Sequence, residues 1–81
     1  MGKHSTIVIA NTLKDLRAKQ NLTQEDLANA VGVTRATINY IENGEYRPSL
    51  ELAFLLAKFF GKTIEGIFRT ESLGGRHGKN R

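Results

Sequence analysis

Cysteine is missing from this chain of 81 residues. Disulfides and thiol-ligated metal are thereby excluded. The apolar runs are too short to span a bilayer, so no membrane segment is expected. The chain does not start with a charged stretch leading into a long apolar core. No signal peptide is therefore expected, and the expected location is cytoplasmic. Histidine occurs only as His4 and His77, both in terminal stretches. A general base needs a held geometry before its pKa matters, and neither terminal stretch offers one. No His pair stands at helical spacing to bind metal. Gly32 and Gly44 stand where helices end, so they form no phosphate loop. No enzyme, cofactor or metal site is expected.

A charge excess is also missing from most of the chain. Its formal net charge is +4. Between Thr6 and Glu71 the bases are Lys14, Arg17, Lys19, Arg35, Arg47, Lys58, Lys62 and Arg69, and all eight acids lie in the same stretch. The excess is Lys3, Arg76, Lys79 and Arg81. A high isoelectric point is therefore no argument for nucleic acid by itself. The terminal cations can add phosphate contacts that weaken with salt. The length fits one domain. So small a core commonly gains stability by pairing with a second copy. The expected layout is a loose N-terminus over 1–5, a folded domain over 6–71 and a flexible, Gly-rich basic tail over 72–81.

The informative stretch runs from Thr23 to Gly44. Thr23 can cap a helix, with Asp26 three residues on as in a capping box. Leu27, Ala28 and Val31 recur at helical spacing. Gly32 then ends the helix. Thr34 caps again, Ile38 and Ile41 make a second stripe, and Gly44 closes it. Two short helices joined by a tight turn form the helix-turn-helix pattern. The outer face of the second helix carries Arg35, Ala36, Thr37, Asn39 and Tyr40. Arg matches guanine, Asn matches adenine, and Thr and Ala match the thymine methyl in the major groove. No carboxylate lies between Asp26 and Glu42 to repel phosphate. An ordinary solvated helix in an all-α domain fits the composition equally well.

Elsewhere, Thr6-Ile-Val-Ile is β-branched and favours a strand. Its expected partner is Gly66-Ile-Phe-Arg-Thr. Asn11 or Thr12 can cap the first helix, which carries Leu13, Leu16, Arg17 and Gln20 on one side. Asn21-Leu22 is a turn. Pro48 precedes a new helix capped by Ser49. That helix, Leu50 to Phe60, is apolar nearly all round. Ala53, Leu56, Ala57 and Phe60 form one stripe, and Leu52, Leu55 and Phe59 another. A helix of this kind is buried on more than one side. Thr63 caps a last short helix with Ile64, Ile67 and Phe68, weakened by Gly66.

Leu22-Thr-Gln-Glu-Asp-Leu-Ala, Gly32-Val-Thr-Arg, Ile41-Glu-Asn-Gly and Pro48-Ser-Leu-Glu-Leu-Ala resemble the Cro/cI group of repressors, also called the Xre group. The resemblance runs from about Leu13 to Phe68, and its motifs are several, ordered and correctly spaced. It implies an all-α, five-helix lambda-repressor-like domain, with a small two-stranded antiparallel sheet joining the termini as in some compact relatives. It implies sequence-specific binding to double-stranded DNA, regulation of transcription, and a homodimer on a palindromic operator. Arg35, Ala36, Thr37, Asn39 and Tyr40 would read bases. Gln24, Thr34, Asn43, Tyr46 and Arg47 would hold the DNA backbone. Glu45 departs from the pattern by placing an acid near that track. Arg17 and Glu42 would form an ion pair, and Leu52, Leu55 and Phe59 a dimer seam. The alternative is an antitoxin or other protein-interaction module that uses the same helix-turn-helix with a partner protein.

Overall fold

The computed structural model describes residues 7–72, with the side chain of the last left aside. Strand β1 spans Ile7–Asn11. Four α-helices follow: α1 Leu13–Lys19, α2 Gln24–Val31, α3 Arg35–Glu42 and α4 Leu50–Phe60. A single 3₁₀ turn at Ile64–Gly66 leads into strand β2, Phe68–Ser72. The expected N-terminal stretch 1–5 lies outside the described residues, as do Thr6 and all of the expected tail 72–81 except Ser72, which ends β2.

The helix count corrects the expectation of five. Thr63 does cap, accepting a hydrogen bond from the Gly66 amide at 3.0 Å. The coil then closes after one turn, because the Ile67 carbonyl is taken by the Thr12 amide at 3.0 Å. That bond turns the chain out of a helix and into the sheet. The strand partner shifts accordingly from the expected 66–70 to Phe68–Ser72. The two strands pair antiparallel, with Ile7 opposite Ser72, Ile9 opposite Thr70 and Asn11 opposite Phe68.

Most helix ends form where local chemistry puts them. Thr23 and Asp26 make a reciprocal capping box at α2, and Gly32 ends that helix at a φ of 80°. Thr34 and Ser49 accept amide hydrogen bonds at the starts of α3 and α4. The start of α1 is different. Thr12 holds the cap position without a side-chain bond, and the Asn11 side-chain oxygen Oδ1 accepts from the Leu13 amide instead, at 3.1 Å. Asn11 also donates to the Ile41 carbonyl at 2.8 Å, tying β1 to the end of α3.

Leu13, Leu27, Ile38, Ile41, Leu56 and Ile67 are fully buried, one or two from each helix plus the residue before β2. Each such side chain contributes about 1.5–3 kcal/mol of burial. Around α4 the buried residues are Leu52, Ala53, Leu56 and Ala57. Leu55 and Phe59 are 40% and 39% exposed on one flank, and Leu50 and Phe54 are 71% and 51% exposed on the other. Leu52 thus belongs to the core rather than to an open stripe with Leu55 and Phe59.

Candidate nucleic-acid interface

The α2–turn–α3 unit presents one face of α3 outward because the opposite face is committed to the core. Ile38 and Ile41 are 0% and 1% exposed. Arg35, Ala36 and Tyr40 point away from them and are exposed, while Thr37 is half-buried at the margin. Among the described residues Arg35 has no hydrogen-bond or ion-pair partner. Its guanidinium is therefore free to take a ligand.

Behind this face lies a polar network that joins three helices. Arg17 of α1 grips Glu42 at the end of α3 with two hydrogen bonds, Nε to Oε2 at 2.6 Å and Nη2 to Oε1 at 3.1 Å. Its Nη1 donates to the Leu22 carbonyl at 2.8 Å, which pins the α1–α2 turn. Gln24, the first residue of α2, donates Nε2 to both Glu42 Oε1 at 3.0 Å and Asn39 Oδ1 at 3.2 Å. The side chains of Arg17 and Glu42 are 14% and 3% exposed, so this ion pair is largely withdrawn from water. Burial pushes the Glu42 carboxyl up. The hydrogen bonds from Arg17 and Gln24, with the charges of Arg17 and Lys14, outweigh burial and hold it below the usual carboxylate range. The same carboxylate raises the Arg17 guanidinium further. Both groups are ionised at neutral pH, and α3 is fixed to α1 and α2.

Of the expected base-reading residues, Arg35, Ala36 and Tyr40 share the open face. Asn39 is half-buried, and its carbonyl oxygen already accepts from Gln24, with a longer contact of 3.5 Å from Asn43. A bidentate match to adenine needs that oxygen as well as the amide nitrogen. The Thr37 hydroxyl lies 3.0 Å from the Thr34 hydroxyl and is bonded to it, which leaves the Thr37 methyl for apolar contact.

Of the expected backbone-holding residues, Thr34 and Asn43 are exposed at the two ends of α3. Tyr46 is 50% exposed in the following loop. Arg47 donates to the Ile7 carbonyl at 3.1 Å, which brings that loop to the start of β1. Gln24 is the least accessible of the five to solvent and the most engaged. Two contacts had no signal in the sequence: Asn11 to Ile41, and Arg47 to Ile7. Their partners stand 30 and 40 residues apart. Among the described residues no cluster of acids and histidines could hold a metal, and no helix is long and apolar enough to cross a membrane.

A family profile described as Helix-turn-helix matches residues 13–67, which span all four helices and the 3₁₀ turn. The chain belongs to the Cro/cI-type helix-turn-helix family. It is 64% identical over 58 residues to an uncharacterized HTH-type transcriptional regulator of Methanocaldococcus jannaschii, covering 72% of this chain and 88% of that protein. It is 39% identical over 57 residues to the cryptic phage CTXphi transcriptional repressor RstR of Vibrio cholerae, covering 70% of this chain and 51% of the repressor. The crystal structure of the transcriptional regulator VanUg shares the fold with a TM-score of 0.70 at 15% identity, over 86% of this chain and 93% of that one. The family is one of DNA-binding transcriptional regulators and not of enzymes. Within this helix-turn-helix protein, α3 stands in the place of the recognition helix.

Proposed function

We propose that this chain is a sequence-specific regulator, acting as a repressor that binds a near-palindromic operator as a homodimer. The observation that carries this is the open face of α3. Arg35, Ala36, Thr37 and Tyr40 stand there without an acid among them, on a helix locked from behind by Arg17, Gln24 and Glu42. Arg35 takes guanine through O6 and N7. Ala36 and the Thr37 methyl meet thymine. Tyr40 extends the contact toward the end of the helix. Asn39 acts mainly through its position, with Gln24 setting its side chain. Thr34, Asn43 and the 44–48 loop hold phosphates and so fix the register without specifying sequence.

Homodimerisation uses the Leu55 and Phe59 flank of α4, backed from the core by Leu52. Pairing there removes two large apolar side chains from water. It also sets two α3 helices one helical turn apart, about 34 Å, along one side of the duplex. The repressor role is supported by the likeness to RstR.

Selection of bound duplex from a random pool tests this reading. An enriched inverted repeat with half-sites about 10 base pairs apart, centre to centre, is the expected product. A pool that stays random, with binding that vanishes as salt rises, contradicts it.

A further inference from the structure

The network behind α3 fixes more than the position of that helix. It also fixes which end of the Asn39 amide is left over. The Glu42 carboxyl is held ionised at neutral pH, so both of its oxygens can only accept hydrogen bonds. Gln24 approaches Oε1 of that carboxylate to 3.0 Å and must therefore present its amide nitrogen there. The nitrogen of a primary amide carries a second hydrogen. That hydrogen goes to Asn39 at 3.2 Å, and only the Asn39 oxygen can accept it. The same oxygen has a longer contact, 3.5 Å, from the Asn43 amide nitrogen. Among the described residues the Asn39 amide nitrogen has no partner. Asn39 stands about one turn along α3 from Arg35, so the two share a side of the helix.

We infer that Asn39 meets DNA as a donor only, selecting guanine through O6 and N7, and that Gln24 is the positioning residue that sets this polarity. This rests on the DNA-binding reading above and gives a base to the side chain that Gln24 orients. An asparagine with both ends free matches adenine, giving its nitrogen to N7 and taking the N6 amino group on its oxygen. Here that oxygen is already spent on Gln24. An adenine N6 donor facing Asn39 would lose water and gain no acceptor, which costs more than the missing bond would have contributed. Cytosine offers only its N4 donor and is rejected for the same reason. The guanine edge carries two acceptors and no donor in the major groove, which suits an amino group alone. Thymine O4 is a single acceptor where guanine supplies two. The causes run in one direction. Ionised Glu42 orients Gln24, Gln24 orients Asn39, and Asn39 then restricts the base. With Arg35 also on guanine, each half-site carries two separate G·C pairs.

The test selects duplexes from a random pool with the full wild-type chain, with Asn39→Ala and with Gln24→Met. The position whose preference disappears in Asn39→Ala is the one that Asn39 reads. The wild-type chain is expected to take guanine there, roughly 5- to 150-fold over adenine. Methionine keeps the length of Gln24 but donates nothing. Gln24→Met therefore frees the Asn39 oxygen and should move the preference at that one position to adenine, with helical circular dichroism intact. Gln24→Leu, equally without a donor, is scored in parallel, so that a fold lost in one variant does not decide the matter. An A·T pair preferred there by the wild-type chain overturns the donor-only reading, as does a motif that Asn39→Ala leaves unchanged. Gln24 variants that bind more weakly but still take guanine overturn the positioning role. A wild-type chain that enriches no sequence overturns the underlying DNA reading, and that failure is visible before any variant is compared.

Discussion

Arg17 spends its guanidinium on one carboxylate and one carbonyl, and through them orients α3. Arg17→Met leaves Glu42 charged, nearly buried and without its cation. The expected cost is about 3 kcal/mol, read from denaturant unfolding. Adding Glu42→Leu should recover most of it, because removing both charges also removes the desolvation penalty. A loss that the second change does not reduce would show that packing, not charge, is at stake. The pair also sets a pH dependence. The Glu42 carboxyl is held below its ordinary value. Its contribution is therefore fully present above the unfolded-state value near pH ~4.3 and is lost as pH falls through the lower folded value. The stability gap between the wild-type chain and Glu42→Gln should be constant near neutrality and close under acid. Asp26 acts in the same direction through its hydrogen bonds to the Thr23 backbone and hydroxyl. At this scale the sequence was only partly legible. An Arg on the apolar side of α1 demanded an acid, but only the family likeness named Glu42. Nothing local announced that Gln24 would occupy the Asn39 carbonyl.

The elements themselves were more legible, because helix ends are decided by near neighbours. Thr23 with Asp26, Thr34, Ser49, Gly32 and Gly61 each act within four residues of their position. Thr34→Ala should cost about 1 kcal/mol. Gly32→Ala meets open space, yet it must hold a φ of 80°, so roughly 1–2 kcal/mol of backbone strain is expected. Thermal unfolding of the two variants checks both, and no destabilisation of Gly32→Ala would mean that the turn relaxes. The C-terminal elements were misplaced for the opposite reason. Thr63 gives a correct local start, but a bond from Thr12, far away in sequence, decides that the helix stops. In α4 an apolar surface nearly all the way round hides which face meets the core. Periodicity therefore grouped Leu52 with Leu55 and Phe59, whereas packing against the rest of the core separates them.

At the scale of the whole molecule, a small domain leaves large apolar side chains in water. Leu55→Glu or Phe59→Glu should yield a folded monomer by sedimentation, with its helical circular dichroism intact. A dimer that persists would move the seam to the Leu50 and Phe54 flank, and an unfolded chain would place the residue in the core. Pairing and the open face of α3 then form one account: two copies present two reading helices to one duplex. Its central claim is that α3 reads bases, and repeating the random-pool selection with Arg35→Ala tests it most directly. The account predicts the same inverted repeat with preference lost at one symmetric pair of positions, and about 1–3 kcal/mol weaker binding to the original site. An unchanged motif, bound more weakly on every sequence alike, would make Arg35 a phosphate contact and contradict it.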